Sequence, residues 1–247
     1  MNASRSREPR RVIVDVAEVS SARVPAVEFL APSALVTVEL DLPDADAGAP
    51  GQIAGVEGIG TELFFDSAGR LSALELSPPR PGLRVQPATE LRAAVAAARP
   101  GVLVARELPT GSLGGVAAAF SKPFGAALFV LDAADAADRE LVELADGVVA
   151  GVSRVTGTLQ SVWVDGFDSR QRVLGDAVST DRDGPAFMEA LNAIHLEFLT
   201  GPAASFARRA RPLAARIDDP RLGRLTEVYE RIKAVDAAVD ATRQTKD

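Results

Sequence analysis

The sequence predicts an α+β protein with a β-rich N-terminal region, a mixed central α/β layer and C-terminal helices. Three observations predict this class. Short runs rich in β-branched residues fill the chain to about residue 77. Strand-like and helix-like segments then follow one another to about residue 200. From there to the C-terminus, apolar residues recur at helical spacing.

Composition divides the chain into successive regions. Residues 1–10 are polar and basic, and we expect a flexible tail there. The β-rich region is 11–77. A proline-rich connector, 78–86, follows it, because clustered prolines stop regular structure. The mixed α/β region is 87–200, and the helical segment is 201–247.

Strand signals open the β-rich region at residues 12–16, 24–30 and 34–42. A loop rich in Pro, Gly and Asp is expected at 41–60. After it comes the clearest local unit, a hairpin that spans 61–76, in which two strand-like runs are joined by a turn with a glycine.

In the mixed region, a helix is expected from about residue 88, with Thr89 as its cap and Pro100 and Gly101 at its end. Buried strands, a helix and a further strand then follow, while parallel or antiparallel pairing stays open. The expected ranges are strands at 102–106 and 126–131, a helix from 134 to about 155, and a strand at 158–164.

The helical part of the chain begins at Pro185. Helices are predicted at 185–199, at 202–217 with an interruption near Pro212, and from 220 to about 243. An apolar stripe follows the last helix, at Leu225, Val228, Ile232, Val235 and Val239.

Cysteine is absent from the 247 residues, and His195 is the only histidine. A disulfide framework, a cysteine nucleophile, a thiolate zinc site and a two-histidine metal centre are therefore excluded. Acidic residues crowd the segment from Asp132 to Asp146 without EF-hand spacing, and helix capping and solvation explain most of them. We expect neither a metal site nor a cofactor.

The formal charge of −7 argues against a nucleic-acid binder that works by bulk electrostatics. The longest apolar stretch, 108–131, contains prolines and glycines, so we expect no membrane segment. Acidic residues interrupt the first apolar run near the N-terminus, and a signal peptide is not expected. These features favour a cytoplasmic protein.

His195 is the candidate catalytic residue. It lies one turn past Leu191, at the edge of the apolar stripe of its helix, where a half-buried structural role competes with a role as general base. A serine triad would need a nucleophile elbow, and Gly151 to Val155 lacks the closing glycine of that motif.

A glycine-rich segment supplies the candidate ligand-binding residues Gly111, Ser112, Gly114 and Gly115. It follows an expected strand, and backbone N–H groups in such a place hold anions when a helix begins there. Its spacing matches neither the dinucleotide fingerprint nor the P-loop, so a plain connecting loop is the competing interpretation.

Candidate interaction residues lie in two places. An expected hairpin turn at 165–170 contains Phe167 and Asp168, and Trp163 precedes it; Trp163 or Phe167 would anchor a partner if exposed. Leu225 and Ile232 belong to the apolar stripe of the last helix, which needs burial either in the chain itself or against a second molecule.

Taken together, these features favour a noncatalytic protein-interaction or regulatory module that binds another protein or its own copy. The alternative is a small-ligand (anion) binding protein or an enzyme, using the Gly111 to Gly115 loop with carboxylates such as Asp132 and with His195. An acidic immunity-like or antitoxin-like partner is a third possibility, which fits the charge but has no motif.

Overall fold

The computed structural model describes residues 11–19, 24–31, 35–40, 52–55, 61–77, 84–93, 95–108, 117–132 and 138–244. Within these ranges the chain forms two β-sheets and a C-terminal group of helices, which confirms the α+β class. The strands are β1 (Ile13–Glu18), β2 (Ala26–Ala31), β3 (Leu35–Glu39), β4 (Gln52–Gly55), β5 (Thr61–Phe65), β6 (Leu71–Leu76), β7 (Arg84–Pro87), β8 (Arg99–Glu107), β9 (Ala117–Lys122), β10 (Ala126–Val130), β11 (Arg139–Ala145), β12 (Val148–Ser153), β13 (Leu159–Asp165), β14 (Arg170–Val173) and β15 (Asp176–Ser179). The helices are α1 (Ala88–Ala93), α2 (Thr180–Asp183), α3 (Pro185–Thr200), α4 (Ala203–Ala214) and α5 (Pro220–Gln244).

The seven-stranded sheet has the order β15-β14-β2-β3-β6-β5-β4. Its pairs are antiparallel except for β14 with β2. Alternate residues point to opposite faces of a strand, so Val36 and Val38 are buried while Thr37 between them is half-buried. The inner face of this sheet therefore belongs to the core, and its outer face meets solvent.

The eight-stranded sheet has the order β1-β8-β11-β12-β13-β10-β9-β7. Strands β11, β12, β13, β10 and β9 form a continuous antiparallel series, while β8 with β11 and β7 with β9 are parallel pairs. All six residues of β12 are buried, so both faces of this strand are covered.

The main core lies between the two sheets and extends to α3, α4 and α5. Phe29 from β2, Phe120 from β9 and Tyr229 from α5 are all fully buried in it. A smaller cluster lies on the opposite face of the eight-stranded sheet, where Leu91 of α1 covers Trp163 of β13. Its strand residues alternate with core residues, as the period of two requires.

An arginine in the first turn of α5 contacts residues of two earlier helices. Nη2 of Arg221 lies 2.8 Å from Oδ1 of Asp183 and 2.7 Å from Oδ2 of Asp219, and the guanidinium stacks 4.4 Å from the ring centre of Phe187. These contacts join α2, α3 and α5. The three predicted C-terminal helices are confirmed within a few residues, but α4 continues through Pro212 without the predicted interruption.

Two further predictions concern the β-rich region. The hairpin at 61–76 is confirmed as β5 and β6, whose turn is closed by backbone N–H donors of Ala68 and Arg70 to Oδ1 of Asp66. The expected loop at 41–60 contains strand β4, which pairs with β5. The rest of that loop and the tail at 1–10 lie outside the described residues.

The helix predicted from 134 to about 155 is wrong. The described part of this segment forms the β11–β12 hairpin, which turns at Gly147 with a φ of 73°. Its apolar residues were compatible with either structure, and pairing with β8 and β13 decided for strands. Helix α1 is also shorter than predicted, because β8 begins at Arg99 and contains Pro100 and Gly101.

Candidate ligand-binding cleft

A cleft of about 550 Å³ opens where the ends of the two sheets meet helix α3. The turn between β9 and β10 forms one side, α3 forms the other, and the connection from β13 to β14 contributes Asp168. The lining residues are Lys122, Pro123, Phe124, Asp168, Thr180, Pro185, Met188, Glu189, Asn192, Ala193 and Leu196.

The floor of the cleft is apolar and fixed by the core beneath it. Phe124 and Met188 are only 4% and 3% exposed. The ring of Phe124 lies 5.1 Å from that of Phe29, edge to face, and 5.1 Å from that of Phe167. Such aromatic contacts favour one ring orientation. A ligand would therefore meet a preformed apolar surface.

The turn that carries Phe124 is braced from within. The hydroxyl of Ser121 donates to the carbonyl of Pro123 at 2.6 Å and accepts from the N–H of Ala126 at 2.9 Å. Ser121 is itself buried, so these bonds are shielded from water. The β9–β10 turn, which forms one side of the cleft, therefore keeps its conformation in the absence of a ligand.

Asp168 is the half-buried acid of the cleft. Burial raises the pKa of this carboxyl, and the nearby charge of Asp165 raises it further. The neighbouring Asp165 is itself paired, since Arg92 donates to both of its carboxylate oxygens. Asp168 has no ion pair with any described side chain.

Gly125 makes the position of Asp168 possible. Its φ is 157°, and a Cβ atom on it would lie 2.8 Å from Cγ of Asp168, a distance at which something must shift. The carbonyl of Gly125 also accepts from the N–H of Gly166 at 2.9 Å. The β13–β14 connection, which contains Asp168, thus packs directly against the β9–β10 turn.

Gln171 links the two polar sides of the cleft from behind. Its Nε2 donates to the backbone carbonyl of Asp168 at 3.2 Å and to Oδ1 of Asn192 on α3. The side chain is 2% exposed, and its Oε1 has no hydrogen-bond partner among the described residues. An acceptor is therefore left over beside Asp168 and Asn192.

His195 lies behind this cleft and does not line it. It is fully buried, so the expectation of a half-buried residue at a stripe edge is wrong: the seven-stranded sheet covers it through Phe29, whose ring centre is 4.8 Å away. Nδ1 of His195 lies 2.8 Å from the hydroxyl of Tyr229. Burial lowers the pKa of His195 to about 3, and the ring is neutral near pH 7. This environment gives no support to a role as general base.

The candidate glycine loop, with Gly111, Ser112, Gly114 and Gly115, lies outside the described residues. Its anion-binding role stays a prediction. Asp132, the carboxylate proposed to act with it, lies 3.0 Å from Nε of Arg11 and does not line the cleft.

The predicted interaction residues are largely used inside the chain. Trp163 and Phe167 are 2% and 0% exposed, so the interpretation of either as an exposed anchor is wrong. Helix α1 covers the first, and the main core encloses the second. Leu225 is fully buried, and Ile232 packs against the same core. The first half of the stripe on α5 is therefore satisfied by intramolecular packing.

The described residues contain no group of three or more His, Asp or Glu side chains that could hold a metal ion. No helix in the described ranges is long and apolar enough to cross a membrane.

Comparison with known proteins gives no match, either to a protein-family model or to a curated protein. The cleft beside α3 is therefore the structural feature that bears on function. Sequence reasoning missed Phe124, Asn192 and Lys122 as site residues, and it took Asp168 only for part of a turn. The signal that could have helped is the aromatic Phe124 between Pro123 and Gly125, an unusual place for a buried ring.

Proposed function

We propose that this protein is a noncatalytic binding protein, and that its ligand is a small, mostly apolar molecule held in the cleft between the β9–β10 turn and α3. The observation that carries the proposal is the combination of an apolar floor with a few convergent polar groups in a braced cavity. Ligand sites have this character, and volumes of roughly 300–1,000 Å³ are usual for them.

Binding is favoured over catalysis by the groups that line the cleft. The only histidine is separated from it by Phe124, and Thr180 is the one hydroxyl-bearing side chain among the described lining residues. A nucleophile needs a base within hydrogen-bond reach, and Thr180 has no side-chain partner of that kind among the described residues. Rigid walls, in contrast, lower the cost of ordering on binding.

An apolar dye tests the proposal. Nile red, which is neutral and fluoresces in apolar surroundings, is titrated into the full chain and into two variants. Ala193→Phe fills the cleft from α3, whereas Ala204→Phe adds the same ring on an exposed position of α4 outside it. We expect saturable fluorescence that Ala193→Phe abolishes and Ala204→Phe retains. Equal binding by both variants would contradict the proposal.

A second candidate function is self-association through the C-terminal half of α5. One observation favours it: Val235 is 61% exposed, although Tyr229 on the same helix is fully buried. The helix thus continues past the surface on which it packs, with an apolar side chain facing solvent. This proposal retains the expectation of a protein partner, with a second copy of the chain as that partner.

Light scattering coupled to size exclusion tests this candidate. A truncation before Pro220 would remove Tyr229 from the core, so a point variant is the better probe. If α5 associates, the full chain forms a concentration-dependent dimer and Val235→Glu is a monomer of unchanged thermal stability. A monomer at every concentration would refute it.

A further inference from the structure

We infer that the cleft selects a cationic amphiphile: an apolar molecule with a primary ammonium group that pairs with the carboxylate of Asp168. This inference rests on the proposed function and adds the chemical class of the ligand.

The charged groups of the cleft differ in their exposure. Lys122 and Glu189 are exposed at its rim, while Asp168 is half-buried. An exposed charge is solvated and gains little from a partner, whereas a partly desolvated charge gains more because water screens it less. Asp168 is therefore the group that contributes most when a counter-ion enters.

The arrangement around Asp168 lacks that counter-ion. The charge of Arg92 acts on Asp168, but the Arg92 side chain donates its hydrogen bonds to the carboxylate of Asp165 instead. No described cationic side chain lies within ion-pair distance of the Asp168 carboxylate. Burial also raises the pKa of this carboxyl, which agrees with a charge that has lost water without gaining a cationic partner.

One buried acceptor near this carboxylate has no donor. Oε1 of Gln171 is buried and has no partner among the described residues, although the same amide contacts Asn192 and the backbone of Asp168. Gln171 does not line the cleft, so the ligand would contact the carboxylate of Asp168 itself. An ammonium group brings three donors and no acceptor, so it suits a carboxylate without a described cationic partner better than a hydroxyl or a carboxylate does.

The carboxylate is also held in place before a ligand arrives. The backbone N–H groups of Asp168 and Ser169 donate to it, and Gly125 leaves the room that it occupies. Because the carboxylate is already ordered, binding an ammonium group does not carry the entropic cost of ordering this side chain, and the affinity is higher for that reason. The apolar tail would then lie on Phe124 and Met188.

Three probes that share an eight-carbon chain and differ in head group test the inference. Octylamine, octan-1-ol and sodium octanoate are titrated into the full chain by calorimetry, below their micelle concentrations. We expect octylamine to bind about tenfold more tightly than octan-1-ol, the size of effect that a sheltered charge pair gives. Octanoate should bind more weakly than either.

Variants locate the effect. Asp168→Asn should remove the preference for the amine and leave octan-1-ol binding unchanged. Asp176→Asn is the matched control, since it removes an exposed carboxylate outside the cleft by the same change, and the preference should stay within about twofold of the parent. The comparison of head groups on the parent chain needs no variant, so a poorly folding Asp168→Asn would not remove the test.

The outcomes separate the two proposals. Equal binding of amine and alcohol, or tightest binding of octanoate, would overturn the inference while leaving a ligand-binding cleft. Amine binding that survives Asp168→Asn would also overturn it. Binding of none of the three probes, together with no Nile red binding, would overturn the proposed function itself.

Discussion

The two sheets are covered differently, and the difference explains where a site can form. In the seven-stranded sheet, buried and more exposed residues alternate along β3, so one face lies in the core and the other meets solvent. In the eight-stranded sheet, β12 is buried along its whole length, and Val149 of this strand belongs to the smaller cluster that also contains Leu91 of α1. At the ends of the sheets, beside α3, apolar surface is left open in a concave shape.

The outer face of the seven-stranded sheet carries two glutamates that lie opposite each other on neighbouring strands. Glu62 on β5 lies directly opposite Glu75 on β6, and Thr37 on β3 is the next neighbour of Glu75. Like charges directly opposite each other destabilise a sheet. This face is thus suited to solvent, whereas the outer face of the other sheet is suited to a covering helix.

The largest effect should come from the shared core. Phe29→Ala removes a fully buried ring that contacts Phe124, Phe167 and His195, and we expect a loss of about 4 kcal/mol in the free energy of unfolding. Leu91→Ala in the smaller cluster should cost only about 2 kcal/mol, since half-exposed neighbours can relax. Urea unfolding measures both. Equal losses of unfolding free energy in the two variants would contradict the expected difference between the two clusters.

The pH dependence of stability should reveal the buried histidine. Below pH 6.5 the unfolded chain protonates His195, while the folded chain, with a pKa of about 3, does not. The unfolded state then binds more protons, so stability falls as pH falls from 6.5 toward 3. By pH 4.5 this contributes a loss of about 2 to 3 kcal/mol.

His195→Asn isolates that contribution, because asparagine keeps a polar group near Tyr229 and does not titrate in this range. Urea unfolding at pH 7 and pH 4.5 should show the parent losing about 2 to 3 kcal/mol more than the variant. Parallel losses in the two proteins would mean that the histidine is accessible to protons in the fold.

A smaller effect is expected at the junction of the sheets. Gly125→Ala places a methyl group against the carboxylate of Asp168 at a φ that side chains rarely adopt, and we expect a cost of about 1 to 2 kcal/mol. Octylamine affinity should fall with it. Gly166→Ala is the control for backbone strain, since its φ is also positive while no atom lies near its added Cβ. It should cost a similar strain energy and spare the affinity.

The smallest effect concerns the solvent-facing glutamates. Glu75→Gln removes one of two opposed carboxylates and should stabilise the fold by about 0.5 kcal/mol at low salt, and by less at high salt. Glu39→Gln on the same face is the control, since Ala26 and Ala73 are its cross-strand partners. Thermal unfolding at two ionic strengths distinguishes the two variants.

The same contrast between the sheets limits what sequence reasoning could predict. The β5–β6 hairpin was predicted because its turn carries Asp66 and Gly69 at the positions that a turn requires. The β11–β12 hairpin was missed because strands covered on both faces lose their alternation, and an apolar run alone does not separate strand from helix.

The cleft could not be predicted for a different reason. Phe124, Asp168 and Asn192 come from three separate elements, and none belongs to a motif with a fixed spacing. Their meeting depends on how the β9–β10 turn, the β13–β14 connection and α3 assemble. The apolar stripe predicted on α5 holds only in its first half, since Leu225 is buried in the chain itself whereas Val235 is 61% exposed.

A two-dimensional ¹H–¹⁵N NMR titration of the full chain with octylamine tests most directly whether the cleft binds a ligand. We expect saturable shift changes concentrated at the backbone amides of Phe124, Gly125, Asp168 and Asn192, and their loss in Ala193→Phe. Shift changes spread over the outer face of the seven-stranded sheet instead, with none at these four amides, would contradict it.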